Sequence, residues 1–358
     1  MTITNKAFMY KKLPVGWPVA GQDLTIEDIG FDDQAPPPPG GITTKNLYAA
    51  FDPSQRGRMR DASKTKSYSA AMEIGKPVLS VSVIGKVLKS DNDKFPEGST
   101  VLIGSWYTES YSAVPAKNLG GSMLGAARLI QPKEGVPLTA YLGALGMTGM
   151  TAYGSLHELG QPKKGEVILV SGAAGAVGQV VGQIAVREGL HVIGSVGDDK
   201  KIDFITKELG FHAGFNYKKE NLSDAISRLA PDGIDIYYDN VGGELLDTAL
   251  VHLKDFGRIV ACGGISQYNN ASPDEAYGVK NYMHVVRKRL AWRGFLVFDE
   301  NIMKHSKARD ENIAKWIADG SFKSVDHITD GIDNAVDGFL GMLKGANLGK
   351  SFVKIQDP

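Results

Sequence analysis

The sharpest constraint in this sequence is an apolar run that breaks into closely spaced glycines and then resumes as a helical pattern. Val167–Val170 leads into Gly172-Ala-Ala-Gly175-Ala-Val-Gly178, and VGQVVGQIAVREG follows. The strand–turn–helix reading of this segment repeats downstream. LHVIGSVG reads as a second strand, and DDKKIDFITKELG as an amphipathic helix ending at Gly210. NYKKENLSDAISRLAPDG, IDIYYDNVGG, ELLDTALVHLKDFG and RIVACGGIS continue the alternation. A β–α series of this kind predicts a parallel, doubly wound sheet with helices on its faces.

The glycine turn itself predicts a dinucleotide site. Gly175 lets the backbone approach a pyrophosphate, and Gly178 lets the helix pack closely on the strand. The helix N-terminus adds N–H groups and a positive dipole end for phosphate oxygens. The plain alternative is a tight strand-to-helix turn with no ligand. The second strand ends Gly194-Ser-Val-Gly197 with no carboxylate at its tip, where an acid would hold the ribose of NAD. Asp198 and Asp199 come late and suit helix capping. Lys200 and Lys201 suit a 2′-phosphate, which favours NADPH/NADP+; as ordinary helix-surface lysines they would say nothing.

The first third has a different texture. Short β-rich runs such as Val78–Val87 and Thr100–Ile103 are separated by Pro and Gly. PPPPGG, within Asp28–Gly41, reads as a stiff surface spacer and turn. After about Leu290 come one helix over roughly Ala308–Asp319 and then a helix, a turn and a strand at the C-terminus. At 358 residues the chain has length for two domains, each with its own core.

Composition excludes several classes. Lys+Arg and Asp+Glu both total 40, so no net charge draws the chain to nucleic acid or to a membrane surface. Arg56, Arg58, Arg60, Lys64 and Lys66 are read as a solvated basic loop. The N-terminus lacks an apolar signal region, and the single cysteine, Cys262, suits a reducing compartment, so a cytoplasmic location is expected. One cysteine and scattered histidines give no zinc-ligand pattern, and no metal is expected. His157-Glu158 starts like a metalloprotease helix, but Gln161 stands where the second histidine would be. Neither a G-x-S-x-G elbow nor a G-x-x-x-x-G-K-[ST] loop occurs. The chemistry is therefore expected to come from the cofactor.

Several further motifs occur in order: Asn46-Leu-Tyr48, Leu145-Gly-Met-Thr-Gly-Met-Thr-Ala-Tyr153, Phe215-Asn-Tyr217-Lys, Tyr238-Asp-Asn-Val-Gly-Gly243, Cys262-Gly-Gly-Ile-Ser-Gln-Tyr-Asn269 and Asn347-Leu-Gly-Lys350. Together they resemble the zinc-independent medium-chain reductases, in particular the alkenal double-bond reductase and prostaglandin reductase (leukotriene B4 dehydrogenase) group. The resemblance implies an α/β protein. A GroES-like β domain (1–138 and 306–358) would receive an inserted Rossmann domain (139–305), with the active site in the cleft between them and a homodimer as the assembly.

The resemblance also implies the reaction: hydride reaches the β-carbon of an α,β-unsaturated aldehyde or ketone, and the resulting enolate is protonated at the α-carbon. It puts Tyr268 as oxyanion donor and possible acid; a phenol donates one hydrogen bond. As plain alternatives, Tyr268 would wall the nicotinamide or fill a turn. Cofactor contacts carry over to Pro53, Gly175, Ala176, Val177, Gly178, Lys201, Tyr217, Asn240, Cys262, Tyr268, Phe295, Leu296, Val297 and Asn347, with 295–297 expected on a strand beside the nicotinamide. Tyr48, Ser54 and Tyr268 carry over to the substrate. The family often has an aromatic where this chain has Ser54, which implies a larger or wetter pocket. Alternative readings keep the fold with a quinone as acceptor or a larger secondary-metabolite enone, or leave a catalytically silent nucleotide-binding protein. A Rossmann methyltransferase is disfavoured by the lysines after the second strand.

Overall fold

The computed structural model describes residues 1–120 and 126–357. Their contacts divide the chain into two compact units. One comprises Met1–Lys133, Pro137–Leu142 and Asp326–Pro358, the other Glu134–Val136 and Gly143–Val325.

The second unit is built on a six-stranded parallel sheet. In chain order its strands are Val167–Val170, His191–Val196, Ala213–Asn216, Ile234–Asp239, Leu253–Ala261 and Ala291–Gly294, and their order in space is 3-2-1-4-5-6. The order reverses between the first and fourth strands, where ligands of doubly wound sheets bind. Strand residues Leu169, Ile193, Phe215, Tyr237 and Ile259 pack with helix residues Ala225, Ile226, Leu246 and Leu250 in one buried cluster. The helix Ala176–Arg187 lies close because glycines line it: a Cβ on Gly182 would meet Phe211 Cζ at 1.9 Å. The amphipathic segment after the second strand begins as the helix Asp199–Asp203 and widens into a π-helical turn, Phe204–Glu208.

The sequence reading returns the chain to the first domain at residue 306. The structure corrects this: the helix Ser306–Ala318 belongs to the second unit, where Arg309 donates to the Gly146 carbonyl at 2.7 Å and Asn312 to the Tyr153 hydroxyl at 2.9 Å. The segment after it is gripped by the glycine-turn helix. Gln183 exchanges two hydrogen bonds with the backbone of Lys323 and Gln179 two with that of Val325, all between 2.8 and 3.2 Å.

The first unit holds a seven-stranded sheet ordered Asp326–Asp330, Lys350–Lys354, Ile42–Ala50, Ser82–Ser90, Thr100–Gly104 and Arg128–Leu129, with Tyr111–Val114 also pairing Ile42–Ala50. The first two strands run parallel and the other pairs antiparallel. Its core joins both ends of the chain: Phe8, Phe51 and Phe339 pack ring on ring at 5.8–6.2 Å. A buried polar chain lies in the same unit. The Ser112 hydroxyl donates to Glu109 Oε1 at 2.6 Å, and Asn46 donates to Ser112 Oγ and to the Glu109 carbonyl at 2.7 and 2.9 Å.

The solvated reading of the basic loop holds for exposed Lys64 and Lys66 but not for its arginines. Arg56 and Arg58 are 8% and 7% exposed. Arg56 donates to the Gly16 and Met59 carbonyls at 2.6 and 3.3 Å, and Arg58 to the Ala70 carbonyl and Ser105 hydroxyl, both at 3.1 Å. Burial lowers the pKa of both guanidiniums. No helix among the described residues is long and apolar enough to cross a membrane.

Candidate active site

The glycine turn forms as its spacing demands. Gly172 has φ +59°, a left-handed conformation that favours glycine. Gly175 N–H donates back to the Gly172 carbonyl at 2.9 Å, which closes the turn. A Cβ on Gly178 would lie 2.4 Å from that carbonyl and 2.8 Å from Ala173 Cα, so the first turn of the helix rests on the loop itself. No side chain caps the helix at Gly175. An N-terminus built this way presents backbone donors to an anion.

The neighbouring loop is built around Asp239, at the end of the fourth strand. Its Oδ1 accepts from the Tyr237 hydroxyl at 2.9 Å and from Val241 and Gly242 N–H at 3.0 and 2.8 Å, while burial raises its pKa. Asn240 is thereby aimed across the switch point, where its side chain donates to the Ser171 carbonyl at 2.7 Å. Asp239 lies in a motif noticed in the sequence, yet only the structure shows its organising role. A carboxylate ending a buried strand before two glycines was the available signal.

At the tip of the second strand, Gly197 is walled in: a Cβ there would meet the Tyr217 hydroxyl at 2.8 Å and Lys218 Cε at 3.2 Å. Asp198 caps the next helix by accepting Lys200 N–H at 2.8 Å. Asp199 accepts from Asn216 at 2.6 Å and Lys219 at 2.5 Å, with both hydrogen bonds lowering its pKa. Both acids are thus engaged with the protein. Lys201 is half-buried; burial lowers its pKa, the Asp198 carboxylate raises it, and Lys218 adds to the lowering. Two lysines held within each other's field make a seat for an anion.

Tyr268 follows a short 3-10 turn, Ile265–Gln267. Its phenol oxygen accepts the Gly264 N–H at 3.1 Å, and a Cβ on Gly263 would come within 3.1 Å of that oxygen. The paired glycines therefore let the ring fold back over its own loop. Cys262 is half-buried beside the Tyr238 hydroxyl, which lies 2.7 Å from the Ser155 hydroxyl. Phe295, Leu296 and Val297 do not lie on a strand: the sheet strand ends at Gly294, and Leu296 N–H turns to the Asp299 carboxylate at 2.8 Å, which starts the helix Glu300–Met303.

The other expected residues lie in the first unit. Tyr48 is half-buried on the strand Ile42–Ala50, in register with Lys354 of the tail. Pro53 caps and Ser54 opens a short helix, Ser54–Arg58, and Ser54 N–H donates to Asp52 Oδ1 at 3.0 Å. Asn347 is buried, with its amide donating to the Gly349 carbonyl at 2.7 Å.

Comparison with known proteins adds to this geometry. Residues 176–310 match the family described as zinc-binding dehydrogenase, and residues 6–121 the family described as the N-terminal domain of oxidoreductase. Among the described residues no group of three or more His, Cys, Asp or Glu could hold a metal. The chain is 46% identical over 354 residues to NADP-dependent oxidoreductase RED1 of Cochliobolus heterostrophus, covering 99% of this chain and 98% of the relative. It is 39% identical over 355 residues to 2-alkenal reductase (NADP(+)-dependent) of Nicotiana tabacum, with the same coverage. The crystal structure of CurA in complex with NADPH from Vibrio vulnificus superposes with a TM-score of 0.86 at 31% identity, over 99% of this chain and 100% of that one.

Proposed function

The chain belongs to the zinc-independent medium-chain dehydrogenase/reductase superfamily, in its alkenal reductase and prostaglandin reductase group, and from that membership we propose that it reduces the carbon–carbon double bond of α,β-unsaturated aldehydes and ketones. It is an oxidoreductase, and its cofactor is NADPH. The residues present fit that cofactor. The uncapped helix start after Gly175 suits the pyrophosphate, and Lys201, in the field of the Lys218 that walls Gly197 together with Tyr217, suits the 2′-phosphate. Asn240, Cys262, Phe295, Leu296, Val297, Pro53 and Asn347 are assigned to the remainder of the cofactor. When bound, NADPH supplies the hydride.

The observation that carries the reading is the setting of Tyr268. Its oxygen accepts the Gly264 N–H at 3.1 Å, which orients the phenol and polarises its O–H toward a stronger donor. A donor aimed at a carbonyl oxygen is worth most as charge moves onto that oxygen, which is what happens when the β-carbon accepts hydride. Tyr268 then holds the enolate oxygen while a proton from solvent water reaches the α-carbon. Tyr48 and Ser54 are assigned to the substrate, with the small Ser54 side chain leaving room for a bulky one.

We assign a homodimer and a cytoplasmic location. The dimer is supported by the free edge of the strand Ala291–Gly294, where Trp292 is 38% exposed, by exposed Tyr282, Met283 and Val286 just before it in the chain, and by exposed Phe256, whose N–H donates to the Lys288 carbonyl at 2.7 Å. A strand edge and apolar side chains left to water favour a second copy.

The test is NADPH consumption against a panel of enals, enones and quinones, with product analysis. Saturated carbonyl products bear the proposal out. Consumption with quinones alone would replace it by quinone reduction.

A further inference from the structure

Lys350 closes the Asn347-Leu-Gly-Lys350 motif, and the reaction gives it nothing to do. Yet its residue exposure is 1%, less than that of any other lysine or arginine described. An ammonium this far from water needs acceptors. It finds them on one short stretch: Nζ donates to the Phe51 carbonyl at 2.6 Å and pairs with Asp52 Oδ2 at 3.4 Å. The backbone makes this reach possible. The tail strand pairs antiparallel with Ile42–Ala50, with Phe352 opposite Ala50, and Phe51 N–H still donates to the Ser351 carbonyl at 2.9 Å. Lys350 therefore stands one step past the last rung, beside the point where the neighbouring strand becomes a loop. Asp326, its register partner on the parallel side, has its pKa pushed up to about 6 by burial; among the described residues only Asp52 lies at ion-pair distance from Lys350.

Asp52 passes the constraint on. Its second oxygen, Oδ1, accepts Ser54 N–H at 3.0 Å, and its own N–H donates to Gln55 Oε1 at 2.7 Å. Gln55 is fully buried and donates to the Leu79 carbonyl at 2.9 Å. Pro53, with φ −56°, sits between these fastenings. Lys350 and the Asp52 carboxylate thus fix where Ser54 stands.

We propose that Lys350 is the positioning residue for the loop that carries Pro53 and Ser54, so that the C-terminal strand sets the substrate-facing wall of the enzyme. The proposal rests on the assignment of Ser54 to the substrate. A methionine at 350 could fill the space, but it would leave the Phe51 carbonyl unmet and the Asp52 carboxylate without its counter-charge. The grip on Ser54 N–H would then loosen.

The experiment compares Lys350→Met, Lys350→Arg, Asp52→Asn and Ser54→Tyr with the unaltered enzyme, each saturated with NADPH, on enones of increasing bulk. Lys350→Met is expected to raise KM for the enone about tenfold, the scale of one charge-assisted hydrogen bond, while kcat at saturating NADPH moves less than about threefold. Lys350→Arg restores part of the KM, since the charge returns with altered geometry. Asp52→Asn shifts KM in the same direction, and it decides the matter if Lys350→Met does not fold. Unchanged KM in Lys350→Met or Asp52→Asn, with only a lower Tm, overturns the proposal while a KM shift in Ser54→Tyr keeps the pocket assignment. If Ser54→Tyr also leaves every enone's KM unchanged, both are overturned.

Discussion

Glu109 is buried among hydroxyl and amide partners, and among the described residues no cation lies at ion-pair distance from its carboxyl. Burial pushes its pKa up to about 7 from an ordinary 4.5. Between those values the folded chain holds a proton that the unfolded chain has lost. Stability therefore falls as pH rises through that window and levels off above it. The full effect is at most on the order of 3 kcal/mol. Glu109→Gln is expected to flatten the plot of Tm against pH between about 5 and about 8; parallel curves for the two proteins would show that the carboxyl is not the cause. At Tyr268 the readout is kinetic. Tyr268→Phe keeps the ring and loses the donor, so kcat is expected to fall about tenfold or more with NADPH affinity unchanged. Single-turnover rates and a cofactor titration check both halves. Residue roles were unevenly legible in the sequence. The glycines announced themselves by spacing, because a turn constrains its own residues. Arg56, Arg58, Glu109, Asp239 and Lys350 did not, because whether a charge is solvated depends on what distant strands bring to it. Lys350 meets Phe51 from 299 positions away.

At the scale of elements the sequence was a better guide. Apolar runs and glycines placed the strands and turns of the parallel sheet, and the helix expected at about Ala308–Asp319 spans Ser306–Ala318. What failed was assignment to a unit, which the contacts of Arg309 and Asn312 decide and local periodicity does not record. The strand expected over 295–297 failed for a related reason: Phe295-Leu296-Val297 is apolar enough for a strand, but Asp299 captures the Leu296 N–H and starts a helix. One closely packed element pair is the glycine turn and its helix. Gly178→Ala places a methyl 2.4 Å from the Gly172 carbonyl, so turn and helix must separate. The expected result is a loss of about 2 kcal/mol or more in stability together with weakened NADPH binding. Denaturant melts with and without NADPH measure both; an alanine variant that binds normally would show that the turn can relax.

For the whole molecule, the exposed strand Ala291–Gly294 and the exposed side chains near it set the prediction for assembly. Val286 is 66% exposed, so Val286→Glu leaves the fold intact and places a charge where a second copy would dock. Light scattering after size exclusion is expected to show dimer for the unaltered chain and monomer for the variant; a dimeric variant would move the interface elsewhere. The tail strand Lys350–Lys354 has a different kind of consequence. It fills the sheet position beside Ile42–Ala50, and Phe352 and Val353 are fully buried there. On a ribosome, the early strand emerges and waits through the synthesis of the whole parallel-sheet unit before its neighbour exists. During that interval its edge is open to other nascent chains, and a chain cut short before Lys350 would keep the edge open for good.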